Sequence, residues 1–121
     1  MKYMLLIYMT EDALSQTERE QCYVKSAGLA QQLHGDGKLL ATAPLQPDSL
    51  TKQVQMRAGN RLVTDGPFVE TREQLGGFFL IDAKDLDEAI TVATQIPGAQ
   101  VGTVEIRPVI ELPGLPPRQS K

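Results

Sequence analysis

Asp65, Glu70, Arg72 and Glu73 place four charged side chains between the turn Asp65-Gly66-Pro67 and the pair Gly76-Gly77. Two carboxylates beside a guanidinium can bind a polar ligand, or can lift one acid toward general acid–base work. On that reading Asp65 and Glu70 are the candidate proton-transfer groups, and Arg72 and Glu73 bind. A loop held between a rigid turn and a glycine hinge is a place from which side chains reach over a cleft. The structural alternative is a turn that only shapes the chain. In that case Gly66 supplies an unusual backbone angle, Pro67 fixes the next, Phe68 anchors the loop and Asp65 hydrogen-bonds the turn. A second charged pair, Glu105 and Arg107, alternates with Val104 and Ile106. If the apolar pair faces the core, both charges project onto the opposite side of a sheet. There they either pair with each other or line a ligand cleft, with Arg107 as anion anchor and Asp65 or Glu70 arriving from the loop.

The elements that must position these residues follow from pattern. Lys2 to Met9 is rich in β-formers and apolar on both alternating sets, which is a strand covered on both faces. Ser15-Gln16-Thr17-Glu18 is a capping box that opens a helix running to about Gly35. Cys22, Ser26, Leu29, Ala30 and Leu33 share its inward face, with Tyr23 at the edge. Lys38 to Ala43 is a strand stopped by Pro44. Gln53 to Arg57 and Arg61 to Thr64, joined by Ala58-Gly59-Asn60, read as a hairpin. Phe78 to Ile81 is again apolar on both sides. Asp85-Leu86-Asp87-Glu88 caps a second helix with Leu86, Ala89, Ile90 and Ala93 at helical spacing, ending near Pro97-Gly98. Thr103 to Val109 is the last strand, and a proline-rich tail occupies 113–121. The rest, 1–112, reads as one domain.

The order β-α-β-(hairpin)-β-α-β is the split β-α-β pattern of an α+β, ferredoxin-like fold with an antiparallel sheet and both helices on one face. The other face is apolar on the central strands and needs a cover. A second copy packed sheet to sheet, a homodimer, supplies one; the alternative cover is the inserted hairpin and the tail. Composition narrows the function classes. The net charge is −3 and the 12 Lys and Arg are scattered, which argues against a nucleic-acid groove or an anionic membrane surface. One Cys, Cys22, and one His, His34, argue against a zinc, copper or iron site within one chain. No cofactor is expected. His34 near a helix end reads as a surface residue, and Cys22 and Ser26 as core-facing. The apolar opening is too short to span a bilayer and lacks a cleavage site, so the cytoplasm is the expected compartment.

The run from Thr64-Asp65-Gly66-Pro67-Phe68 through Gly76-Gly77-Phe78-Phe79-Leu80-Ile81-Asp82 to Glu88-Ala89 resembles the signature of the DGPF-motif branch of the YCII-related proteins. Met1-Lys2-Tyr3-Met4-Leu5-Leu6-Ile7-Tyr8 and Val104-Glu105-Ile106-Arg107-Pro108-Val109 resemble the same branch. The resemblance implies a ferredoxin-like fold in dimers of the α/β-barrel kind, mostly without an assigned reaction, encoded near extracytoplasmic-function sigma factors. The broader family carries a His and Asp pair suspected of catalysis. Aligned on Leu33-His34-Gly35-Asp36-Gly37-Lys38-Leu39-Leu40, those positions hold Ser26 and Ile96, which cannot relay a proton as imidazole and carboxylate do. Two functions are thus expected. One is binding of, or action on, a small polar molecule between the Asp65–Phe68 loop and the sheet face. The other is a non-catalytic dimeric accessory module for a sigma-factor-linked partner.

Overall fold

The computed structural model describes residues 1–68 and 72–116. β1 (Lys2–Met9) is followed by α1 (Gln16–Gly35) and β2 (Leu39–Pro44). A single 3-10 turn (Asp48–Leu50) leads into the hairpin β3 (Lys52–Arg57) and β4 (Asn60–Asp65). β5 (Gln74–Asp82), α2 (Leu86–Gln95), the short α3 (Gly98–Val101) and β6 (Thr103–Pro108) complete the order. The four long-range strands form one antiparallel sheet in the order β2-β5-β1-β6, which is the ferredoxin-like arrangement; β3 and β4 form a separate two-stranded sheet.

Local chemistry sets the helix starts. Ser15 accepts from the Glu18 amide and Glu18 returns a bond to the Ser15 amide. Those bonds, the backbone one foremost, hold the Glu18 carboxyl below its ordinary range. Asp85 caps α2 by accepting from the Glu88 amide. The core lies between the helices and one sheet face: Tyr3 and Leu5 of β1 and Phe79 and Ile81 of β5 meet Leu29 and Leu33 of α1 and Ala89, Val92 and Ala93 of α2. Ile7, Val104 and Ile106 pack against it.

Four details differ from the sequence reading. α2 buries Ala89, Val92, Ala93 and the following Ile96, while Leu86 and Ile90 stay exposed, because the burying stripe begins at Ala89, three residues later than the apolar spacing suggests. The hairpin turn has two residues, not three: Ala58 and Gly59 both adopt positive φ (49° and 80°), the twist that suits a tight hairpin. Gly76-Gly77 is no hinge but part of β5, where the register with β1 slips between Ile7 and Tyr8. A Cβ on Gly77 would come 3.1 Å from the Ala43 carbonyl oxygen, so close strand approach explains that glycine. Asp65, finally, ends β4 and pairs with Lys52 across the ribbon. The turn after it is held instead by Gln53, whose side-chain amide donates to the Gly66 and Pro67 carbonyls at 2.9 and 3.0 Å.

Candidate functional site

Small residues on three elements leave a space in the helix-covered layer. The second half of α1 seals against the sheet with Leu29 and Leu33. Between and ahead of these, α1 offers the small residues Cys22, Ser26, Ala27 and Ala30 to the chamber, with Tyr23 and Gln31 beside them, while β5 contributes Gly76 and Gly77, and Gly98 opens α3. The result is a chamber of about 450 Å³. That lies within the ~300–1,000 Å³ of typical small-molecule pockets. Ile7, Met9, Phe79 and Ile96 form its apolar walls, and among the described residues no charged one lines it. Its polar groups are the Ser26 hydroxyl, the Cys22 thiol, the Tyr23 phenol, the Gln31 amide and Thr42, whose hydroxyl donates to the Phe78 carbonyl at 2.8 Å.

Gly98 is set by this packing: a Cβ there would fall 2.6 Å from Ile7 Cγ2. A smaller cavity of about 240 Å³ adjoins the chamber, sharing Met9, Cys22, Tyr23 and Gly76 with it. Glu11, Arg19 and Asp48 line that second cavity, and the Arg19 guanidinium donates to the Glu11 carbonyl at 3.0 Å. An apolar room beside a cavity with charged walls can hold an apolar body whose polar end lies toward the charges. Among the described residues no group of three or more His, Cys, Asp or Glu gathers to hold a metal ion.

The residues singled out for chemistry lie elsewhere. Asp65 is exposed on the hairpin beside Lys52. Glu70 lies outside the described residues. Arg72 is exposed, and Phe68 is 75% exposed, so it is not buried as an anchor among the described residues. Glu73 reaches β6, accepting from the Thr103 hydroxyl at 3.0 Å. Glu105 and Arg107 are exposed on the face away from the helices, opposite Leu6 and Met4 of β1, and no ion pair joins them. The loop and the sheet face are therefore linked through Glu73 and Thr103, while Asp65 points to the hairpin. None of the chamber's walls comes from this set. Sequence reasoning had placed Cys22 and Ser26 on the inward face of α1, but as filler. The signal that points to a chamber is that Cys22 and Ser26, the inward positions of α1 ahead of Leu29, are both small, with only Tyr23 large at the edge.

The positions where the resemblance puts a family histidine and aspartate, Ser26 and Ile96, both line this chamber. The family model for the YCII-related domain matches residues 1–113. An uncharacterised protein of Rhizobium meliloti (strain 1021) is 36% identical over 114 residues, covering 90% of this chain and 92% of that protein.

Proposed function

Because the chain belongs to the YCII-related family, we propose that it is a homodimeric small-molecule-binding protein of the cytoplasm whose ligand occupies the chamber beneath α1. The single observation that carries this is the 450 Å³ of space walled by apolar side chains and free of charge. Such a room favours an uncharged, largely apolar ligand part, because an ion entering it would lose hydration without gaining a partner. Ser26, Cys22 and Tyr23 supply the few polar groups that orient such a ligand. With Ser26 and Ile96 at the two positions, the chamber has no imidazole–carboxylate pair for acid–base catalysis there, and binding is the reading it supports.

The dimer rests on the open sheet face. Met4, Leu6 and Tyr8 of β1 and Phe78 and Leu80 of β5 are half-buried there with no helix over them. Completing the burial of each side chain contributes ~1 kcal/mol, given that full burial is worth ~1.5–3 kcal/mol. A two-fold pairing of these faces gathers that gain from both copies at once.

A second reading keeps the polar ligand at the loop. The Glu73–Thr103 hydrogen bond ties the loop to the strand bearing Glu105 and Arg107, and in a dimer these charges would border the interface. Native mass spectrometry of freshly purified protein, with titration of the uncharged probe N-phenyl-1-naphthylamine, tests both. Chamber binding predicts probe uptake that Arg107→Ala leaves unchanged. Loss of a retained ligand on Arg107→Ala, with no probe uptake by the wild type, moves the site to the loop. A protein that takes up neither but copurifies with a sigma-factor-linked partner is an accessory module.

A further inference from the structure

The hairpin is the part of the chain least supported by the rest of it. β3 and β4 pair only with each other, so the ribbon stands apart from the four-stranded sheet. Its foot is firmly tied, by the Gly66 amide to the Thr51 carbonyl at 2.8 Å and by the Gln53 side chain to the turn. Beyond the foot, alternation puts Val54, Met56 and Val63 on one side, where they are 65%, 59% and 51% exposed. A two-stranded ribbon on its own is marginal in water, and an apolar side on an extended arm is an unfinished contact.

We propose that this arm clasps the body of a second copy of the chain, laying Val54, Met56 and Val63 against it. Charge chooses the occupant. Lys52, Arg57 and Arg61 against Asp65 give the arm a formal charge of +2, which leaves −5 on the rest of a chain whose total is −3. Two whole copies repel, whereas an arm on a partner's body attracts, and a two-fold axis makes that contact twice. The arm leaves the body after β2 and returns into β5, the strands that carry Ala43 and Phe78 to the open face. Arm and open face are thus consecutive along the chain, and one partner can meet both. The inference takes its partner from the dimer reading above, but it concerns a separate contact.

A benzophenone amino acid in place of Val54, in an equal mixture of normal and heavy-nitrogen chains allowed to exchange, reads the contact directly. The expected products are isotopically mixed cross-links from position 54 to residues outside 52–65 of the other copy. Links confined to one chain, or none, in a preparation that sediments as a dimer overturn the arm and leave sheet pairing standing. A wild type that sediments as a monomer overturns both. Arg57→Glu with Arg61→Glu gives a second measure that needs no cross-linker. Both side chains are exposed, so the fold is retained, and the dimer dissociation constant rises roughly tenfold or more. An unchanged constant refutes the electrostatic seating of the arm.

Discussion

Ala30→Leu is the sharpest test of the chamber. Ala30 lies on the inward face of α1, half-buried, lining the chamber and packed against the core. Leu is nearly as good a helix former as Ala, so the backbone has little to lose. Three added carbons at ~0.8 kcal/mol each would bring ~2.4 kcal/mol if fully enclosed, and the open side of the chamber cuts that to roughly half, ~1 kcal/mol. For a domain of this size the melting temperature should rise by about 3–6 °C. Probe binding should fall at the same time, because the new side chain occupies the room the ligand needs. Scanning calorimetry reads the first effect and fluorescence titration the second. A lower melting temperature with binding intact would refute the reasoning, since it would mean that the site is already full and the substitution overpacks it by ~1–3 kcal/mol. A higher melting temperature with undiminished binding would place the ligand elsewhere.

Leu6→Asp puts a carboxylate on the open sheet face opposite Phe78 and Glu105; sedimentation should show monomer with an unchanged far-ultraviolet spectrum, and a persistent dimer contradicts the sheet pairing. Gly102→Ala should destabilise by ~1–3 kcal/mol, because its Cβ would fall 2.0 Å from the Tyr8 carbonyl oxygen and the start of β6 must shift. Gly28→Ala, in open space on α1, should instead stabilise by ~0.5–1 kcal/mol; denaturant melts of the two variants moving in the same direction would contradict the packing. Glu88 accepts from the Lys84 amide at 3.0 Å and from the Lys38 ammonium at 3.2 Å, and the backbone bond foremost, then Lys38, holds its carboxyl below the ordinary range. A folded value below the unfolded one gives stability that is present at neutral pH and lost as pH falls through the folded value. Melting curves below about pH 5 should therefore fall less steeply for Glu88→Gln than for the wild type.

The frame was legible because it is written in positive signals. Ser15 and Glu18 announce a helix start, Asp85 and Glu88 another, and a strand apolar on both sides such as Tyr3 to Met9 has only a central place to go. Errors came where one residue type serves two ends. A Gly-Gly pair ahead of an apolar run looks like a hinge, yet Gly77 lies within β5, where a Cβ would sit a tight 3.1 Å from the Ala43 carbonyl oxygen of the neighbouring strand. Leu86 and Ile90 have core spacing, yet the buried stripe of α2 runs through Ala89, Val92, Ala93 and Ile96. Glu105 and Arg107 were placed correctly by alternation with Val104 and Ile106, since strand periodicity fixes a face without knowledge of partners. The chamber left no comparable mark. It is built from what Ser26, Ala27, Ala30, Gly76 and Gly98 lack, and those residues come together only after α1, β5 and α3 have packed.

The state of positions 26 and 96 makes physical sense as a pair. Ile96 is 1% exposed and belongs to the core, so a carboxylate there would be stripped of water. It would be tolerable only beside a group that pairs with it, and an imidazole on the facing helix is such a group. Where α1 carries Ser26 instead, an acid at position 96 would share the chamber with a hydroxyl and, among the described residues, with no cation in its walls. The apolar residue that stands there removes that cost and adds burial to the core. What remains is the shape, with its apolar walls beside the cavity that Arg19 lines, which suits recognition by fit and water exclusion rather than by proton transfer.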